Sequence, residues 1–205
     1  MRNSNPGTGR DPAPAGEARR RLHAALIAGL IWVSALWSQT SGPAAPAHDV
    51  IADFGTRVSQ YLELRGKEAG SPSKASTSSQ RLVEQQQQMA ARIRGARTGA
   101  AQGNIFTPGI AAYFRHQIEL ALRGPEGEKI RSSLRHSEPV SGLSLRVNDT
   151  YPAAVPLQTM PPSLLQRLPL LPKELEYRIV GRDLVLHDIE PNIIVDFISG
   201  AIPSP

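Results

Sequence analysis

The sequence contains no cysteine. It can therefore form no disulfide bond, thiolate metal site or thiol nucleophile, and it lacks the cysteine that carries the lipid of exported lipoproteins. Aromatic residues are also scarce, at 5% of the 205 residues. A chain of this composition must obtain its stability from the packing of aliphatic side chains in a core.

Motifs that name a reaction are likewise missing. The sequence has no nucleophile elbow, no phosphate-binding loop and no pair of histidines at the helical spacing of metal ligands. Because catalytic residues can also converge from distant positions, this absence favours a non-enzymatic protein without excluding an enzyme. We accordingly assign no catalytic residue, cofactor or metal site from the sequence.

The chain begins with a segment typical of an export signal. Three arginines at 19–21 precede residues 22–37, which are mostly apolar and include no acidic residue, lysine or arginine, and residues 38–47 are small residues and prolines. Sixteen helical residues span about 24 Å, less than the ~30 Å hydrocarbon core of a membrane. We therefore predict that residues 1–47 are a cleaved export leader and that the protein is periplasmic or secreted. The alternative is an uncleaved anchor in the inner membrane, formed by residues 22–37.

The charge of the chain lies partly in this leader. Residues 1–47 hold five of the 23 basic and two of the 18 acidic residues, which leaves 18 against 16, or +2, in residues 48–205. A nearly balanced charge provides no concentrated basic face, so we expect no nucleic-acid partner. The expected partner is another envelope protein, and membrane contact is expected only through an uncleaved leader. The sequence does not predict an oligomeric state.

Apolar residues recur at intervals of three and four after the leader, which predicts amphipathic helices. The predicted helices are residues 50–65, 80–102, 108–123 and, shorter, 125–135. Asp49 and Thr107 are candidate N-caps of the first and third helices, and Gly103 is the candidate C-cap of the second. The glutamine-rich run at 84–88 is interpreted as an exposed helix face.

The last third of the chain alternates apolar and polar residues, which predicts short strands. The predicted strands are residues 143–147, 175–180, 184–188 and 193–198. Residues 151–172 are rich in proline, and their leucines predict that the segment packs onto the core, with one helical turn near residues 160–165.

These elements predict an α+β fold in which N-terminal helices pack on a small C-terminal antiparallel β-meander. Residues 48–205 are predicted to form a single α+β domain, helical over residues 48–137 and β-containing over residues 138–205. The side chains expected to be largely buried are Phe114, Ile118, Tyr177, Leu186, Val195 and Phe197.

Two segments of the chain resemble a group of uncharacterised exported bacterial proteins. Residues 175–188 (LEYRIVGRDLVLHD) and 194–198 (IVDFI) resemble the C-terminal part of these proteins, and residues 49–65 are similar to their start. The resemblance covers most of the region after the leader. It implies that the protein is exported, and it supplies no catalytic residue.

The histidines are the residues closest to a catalytic signal. His116 lies on the third predicted helix, but Leu120 occupies the position of a metal-binding partner. His136 closes the fourth predicted helix and is interpreted as a cap or a solvated side chain. His48 would become the first residue after cleavage, where its amine and imidazole could chelate a metal, although a predicted helix follows it at once.

A second polar cluster stands at a predicted strand end. His187 and Asp188, with Glu190 and Asp183 nearby in the sequence, could hold a metal or act as an acid–base pair. Adjacent strand residues point to opposite faces, so His187 and Asp188 should not converge. We interpret the cluster as turn and surface polarity.

Three classes of function remain open from the sequence. The favoured hypothesis is a non-enzymatic exported envelope protein that acts as a protein-interaction module. The first alternative is a metal-dependent or hydrolytic enzyme that uses His116 and His187 with nearby carboxylates. The second is a small-ligand-binding domain with a pocket between the helices and the meander.

The leader generates the first testable prediction. We expect protein recovered from the cell envelope to begin at His48 or within a few residues of it, because the small residues before this position fit a cleavage site. Intact-mass analysis measures this directly. Recovery of a full-length, membrane-embedded chain would instead support the anchor.

Overall fold

The protein is an α+β structure, described here by a computed structural model over residues 47–70, 78–135, 144–152 and 160–203. The helices in these ranges are α1 (Ala47–Ala69), α2 (Ser79–Ala96), α3 (Pro108–Arg123), α4 (Gly127–Arg135) and the single turn α5 (Pro162–Leu165). The strands are β1 (Leu175–Val180), β2 (Asp183–Asp188) and β3 (Ile193–Ile198). Helices followed by an antiparallel meander confirm the predicted fold class. None of the described helices is long and apolar enough to span a membrane.

The starts of two helices follow from their first residues. α3 begins as predicted, with Thr107 at the N-cap and Pro108 at the first helical position, where the missing N–H of proline needs no partner. α1 begins at Ala47, so Asp49 lies in its first turn and is not the N-cap. A carboxylate in the first turn still interacts favourably with the helix dipole.

Two further helix predictions have clear outcomes. α4 begins at Gly127 and not at residue 125, and a β-carbon at Gly127 would overlap the backbone of Leu122. The glutamine-rich run at 84–88 is exposed or half-buried on α2, which confirms its interpretation as a solvated face.

The second helix is shorter than predicted. The pattern of residues 80–102 predicts a helix that ends at Gly103, but α2 ends well before this glycine. The backbone amides of Gly103, Ile105 and Phe106 instead donate to the buried carboxylate of Asp196 on β3, at 2.7–3.0 Å. Gly103 has φ +90°, a conformation that other residues rarely adopt. It is therefore a turn residue that binds Asp196, and its interpretation as a helix cap was wrong.

The strands form one antiparallel sheet in the order β1-β2-β3. A two-residue turn joins β1 to β2, with Gly181 in the left-handed region at φ +60°. The three predicted strands of the C-terminal meander are confirmed, and β2 starts one residue earlier than predicted. The predicted strand at 143–147 is wrong, since residues 144–147 lie outside every strand and residue 143 lies outside the described residues.

The next few residues, and not 143–147, pair with β3. The N–H of Asn148 donates to the carbonyl of Ile194 at 2.8 Å, and the N–H of Ile194 donates to the carbonyl of Asp149 at 2.9 Å. Asn148 has φ +70°, which interrupts extended backbone at this point. Leu145 and Val147 pack against the sheet face that points away from the helices. Their alternation thus reflects packing of an irregular segment on this face.

The helices cover the other face of the sheet. The ring of Phe114 on α3 lies edge-on to that of Tyr177 on β1, with centroids 5.8 Å apart. Phe54 of α1 and Phe106 complete this aromatic group, at 5.1 and 5.2 Å from Phe114. All six side chains predicted to be buried are at most 8% exposed: Phe114, Ile118, Tyr177, Leu186, Val195 and Phe197.

The proline-rich segment packs down only in part. Leu164 and Leu168 are buried, and α5 is the predicted helical turn. Leu165 is exposed, and Leu170 is 97% exposed. The prediction that the leucines at 164, 165, 168, 170 and 171 pack onto the core is therefore right for Leu164, Leu168 and the half-buried Leu171, and wrong for Leu165 and Leu170.

The aromatic group generates a stability prediction. Phe114→Ala should lower the free energy of unfolding by about 3–5 kcal/mol, because it leaves a cavity among three rings. Leu120→Ala, on the exposed side of the same helix, is the matched control and should change it by about 0.5 kcal/mol or less. Urea denaturation followed by circular dichroism measures both. Equal losses in the two variants would contradict this account of the core.

Candidate functional site

The structure does not bring the two candidate histidines of the enzyme hypothesis together. His116 is exposed on α3, in the helical layer. His187 lies on β2, and its ring is tilted by 49° against that of Tyr151, with centroids 4.8 Å apart. Tyr151 belongs to the cluster on the sheet face away from the helices. His48 is exposed at the start of α1, with Nδ1 3.6 Å from Asp49. His136 and His23 lie outside the described residues.

His187 and Asp188 are buried, which corrects their interpretation as surface polarity. Their relative exposures are 5% and 0%. The expectation that they point to opposite faces is confirmed, because Asp188 contacts α1 while His187 contacts Tyr151. Asp183 is also separate, since its carboxylate accepts the N–H of Gly200 at 2.8 Å. In the described part of the chain, no group of three or more His, Asp or Glu side chains could hold a metal.

The surroundings of His187 connect it to β1. Its Nδ1 lies 2.9 Å from Oε1 of Glu176, and its Nε2 lies 2.9 Å from Oδ1 of Asn192. Oε1 of Glu176 also accepts from the guanidinium of Arg178 at 2.7 Å. The buried ring of His187 therefore contacts the carboxylate of Glu176 from the interior, and the half-buried Glu176–Arg178 pair forms the outer part of this polar group.

Asp188 joins α1 to the sheet. Its Oδ2 accepts from the hydroxyl of Tyr61 at 2.6 Å and from Nε of Arg65 at 2.8 Å, and Arg65 also pairs with Glu190 at 2.7 Å. Its Oδ1 is buried and has no hydrogen-bond partner in the described structure. Burial raises the pKa of Asp188, and the hydrogen bonds from Tyr61 and Arg65 oppose this shift only in part. Burial likewise raises the pKa of Tyr61.

Arg97, just after α2, lies close to both buried aspartates. Its guanidinium donates to Oδ1 of Asn148 at 2.6 Å and to the carbonyl of Val195 at 3.0 Å. It also stands 5.0 Å from the ring centroid of Tyr61, a cation–π contact. Burial lowers the pKa of Arg97, and the carboxylates of Asp196 and Asp188 oppose this shift. These contacts fix the end of α2 on the sheet, and they engage the guanidinium of Arg97 in structural hydrogen bonds.

The edge of the sheet at β1 offers a different kind of surface. β1 is the terminal strand in the sheet order and pairs with β2. The N–H of Ile189 donates to the carbonyl of Glu174, so by strict alternation the backbone groups of Tyr177 and Ile179 point away from β2. The N–H of Leu175, which also points outward, donates to the carbonyl of Pro172. Tyr177 and Ile179 thus carry the outward backbone groups of this edge, and both residues are buried, at 4% and 2% exposure.

A groove of about 450 Å³ runs beside β1. The residues that line it are Met160, Leu165, Pro169, Leu170, Leu171, Leu175, Glu176, Tyr177 and Arg178. One wall is apolar and comes from the segment around α5, and the opposite wall is the Glu176–Arg178 pair. The hydroxyl of Tyr177 donates to the carbonyl of Pro169 at 3.0 Å and so fixes the apolar wall on the helix side of the strand. We call this surface the β1 groove.

Sequence reasoning missed the β1 groove. The strand itself was predicted, but nothing in the sequence showed that β1 would be the terminal strand or that Leu170 would point outward. The one available signal was the pair of prolines at 169 and 172, which restrict the backbone on either side of Leu170. Their position next to a predicted strand could have directed attention to this segment.

Comparisons of the chain with protein-family models, with curated proteins and with solved structures found no match. The resemblance of the C-terminal strands to exported bacterial proteins stays an expectation.

Asp188 generates a prediction about pH. An unfolded chain has the ordinary pKa of 3.8, and the native pKa is higher, so the native state binds more protons in this range. The stability contributed by Asp188 should therefore fall as the pH rises through that window. Asp188→Asn does not titrate, so its free energy of unfolding should improve relative to the unsubstituted protein between about pH 4 and pH 7.

Urea denaturation at a series of pH values measures this difference. The comparison depends on its change with pH and not on its absolute size, so a uniform cost of the substitution does not affect it. Asp53→Asn, at an exposed pair on α1, is the matched control. If the free energy of unfolding of Asp188→Asn instead falls relative to that of the unsubstituted protein as the pH rises, Tyr61 and Arg65 hold the native pKa of Asp188 below its ordinary value.

Proposed function

We propose that the protein is an exported, non-enzymatic envelope protein that acts as a protein-interaction module, and that the β1 groove is its partner-binding surface. The observation that carries this proposal is Leu170, which is 97% exposed at the rim of a groove with an apolar wall. Fully burying a leucine side chain is worth about 1.5–3 kcal/mol. A partner that covers Leu170 would gain this free energy at the interface.

The alternatives receive less support from the geometry. His116 and His187 belong to different layers, and the carboxylates nearest to His187 and to α1 are engaged with arginines. A small-ligand pocket between the helices and the meander would have to occupy the space that the Phe114–Tyr177 contact fills. The β1 groove has Leu170 at its rim, and this side chain is exposed, so a partner surface can reach it.

Export is the second part of the proposal. It is supported by the arginines, the apolar run and the small residues of the leader. The absence of cysteine is compatible with export, because the described residues form a buried core without disulfide bonds.

Site-specific cross-linking in the producing cells tests the proposed surface. A photo-reactive amino acid at position 170 should give a discrete cross-linked product with one partner protein, because Leu170 would lie inside the interface. The same amino acid at position 82 is the matched control, since Leu82 is an exposed leucine on α2, outside the groove.

Leu170→Asp should weaken formation of the complex by about tenfold or more, whereas Leu82→Asp should leave it within about twofold. Both substitutions place a charge at an exposed position and should keep the fold, which circular dichroism verifies. Equal cross-linking at positions 170 and 82, or equal effects of the two substitutions, would refute the proposed surface.

A further inference from the structure

The buried ring of His187 faces a hydrogen-bond acceptor on each side. His187 and Glu176 are directly opposite on β2 and β1, which places Nδ1 2.9 Å from Oε1 of Glu176. Nε2 lies 2.9 Å from Oδ1 of Asn192, in the turn between β2 and β3. A neutral imidazole has one donor and one acceptor nitrogen, whereas an imidazolium has two donors. Two oxygen acceptors at these distances are therefore both satisfied only by the charged form.

The amide of Asn192 is oriented by a contact on its other side. Its Nδ2 points at the carbonyl of Tyr151 over 3.5 Å, and its own backbone carbonyl accepts the N–H of Tyr151 at 3.0 Å. Asn192 has φ +52°, a left-handed conformation that asparagine adopts more readily than most residues. Because Nδ2 is directed at Tyr151, the oxygen of the amide is the atom that faces His187.

The charges near His187 lie on two elements of the described structure. The titratable and charged groups that face the ring are Glu176 and Arg178 on β1 and Tyr151 on the segment beside β3. Asp188 and Asp196 face the helical side of the sheet instead. The Tyr151 ring centroid, 4.8 Å away, is within the range of a cation–π contact. Glu176 and this ring stabilise a positive charge on His187, and Arg178 opposes it.

Loss of the proton from Nε2 creates a conflict at Asn192. Nε2 is then an acceptor that faces the acceptor Oδ1. The conflict is relieved when the amide turns over, so that Nδ2 takes the place of Oδ1 and donates to Nε2. The turned amide no longer directs Nδ2 at the carbonyl of Tyr151. The proton on His187 and the orientation of Asn192 are thus linked.

We infer that His187 and Asn192 form a proton-linked switch. With the proton, His187 donates to both Glu176 and Asn192, and Asn192 contacts the N–H and the carbonyl of Tyr151 at the edge of β3. Without it, the Asn192 amide is reversed and Tyr151 loses the contact at its carbonyl. Histidine is the side chain that ordinarily changes its charge between about pH 5 and pH 8. The switch exists whether or not a partner occupies the β1 groove.

NMR of the full-length, ¹⁵N-labelled chain tests the switch through a titration over about pH 5 to 8. At the acidic end, both ring nitrogens of His187 should have the chemical shift of a protonated nitrogen, and at the basic end only Nδ1 should. The side-chain amide signals of Asn192 should move with the same midpoint pH, because the amide turns over as the proton leaves. His116, exposed on α3, is the internal control, and the Asn192 signals should not follow its titration.

Two substitutions should move the His187 midpoint in opposite directions. Glu176→Gln keeps an acceptor for Nδ1 but removes the negative charge, so the midpoint should fall by about 0.5 pH units or more. Asn192→Asp keeps an acceptor that cannot turn over to donate, so the midpoint should rise by about the same amount. Aspartate also tolerates the left-handed backbone at this position. Asp53→Asn, at an exposed pair on α1, is the matched control and should leave the midpoint unchanged.

The titration of the unsubstituted chain decides the inference even where a variant does not fold. A single protonated ring nitrogen throughout the titration would overturn it, because His187 would then be neutral in the native state. Two protonated nitrogens at every pH would overturn it as well, since a permanent charge is no switch. An Asn192 amide that stays fixed while Nε2 loses its proton would refute the link between the two residues. Midpoints that move in the same direction in Glu176→Gln and Asn192→Asp would also contradict it.

Discussion

The buried carboxylate of Asp196 is the constraint on which much of the structure depends. A carboxylate without hydrogen bonds in a protein interior is strongly unfavourable, but the Asp196 oxygens accept from four backbone amides, those of residues 103, 105, 106 and 197. Three of these amides come from the loop between α2 and α3, so this one side chain fixes the loop on β3. Phe106 in that loop then packs against Phe54 and Phe114. The aromatic core between helices and sheet is therefore positioned by a polar residue.

Asp188, the other buried aspartate, has a different balance of interactions. One of its oxygens takes the hydrogen bonds of Tyr61 and Arg65, and the other has no partner among the described residues. Its anionic form is thus less well satisfied than that of Asp196. Because breaking a buried pair leaves an uncompensated charge, Arg65 is still needed once Asp188 is ionised. The contact between α1 and the sheet therefore responds to pH through Asp188.

Local pattern was sufficient to predict most of the fold and little of the site. The strands of the meander were predictable because period-two alternation and turn residues coincide at Gly181 and near Asn192. The end of α2 was not, because the turn after it depends on hydrogen bonds to Asp196 from amides that precede it by 90 to 93 residues. The strand predicted at 143–147 failed because alternating leucine and valine also suit an irregular segment packed on a sheet. The burial of His187 could not be predicted from local sequence, because its partner Glu176 lies on another strand.

The two edges of the sheet show why position in the sheet matters more than composition. At β3, residues 148–151 satisfy the edge, and Arg94 and Arg97 hold that segment through Asn148 and Thr150. At β1, the segment around α5 contributes an apolar wall and contacts the strand through the hydroxyl of Tyr177 and through the N–H of Leu175, which donates to the carbonyl of Pro172. Exposed edge strands favour association with other chains, and proteins usually block them with charge, proline or cover. At β1, Tyr177 and Ile179 are buried, so this edge is covered, and the exposed side chain of Leu170 lies on the segment that packs beside it.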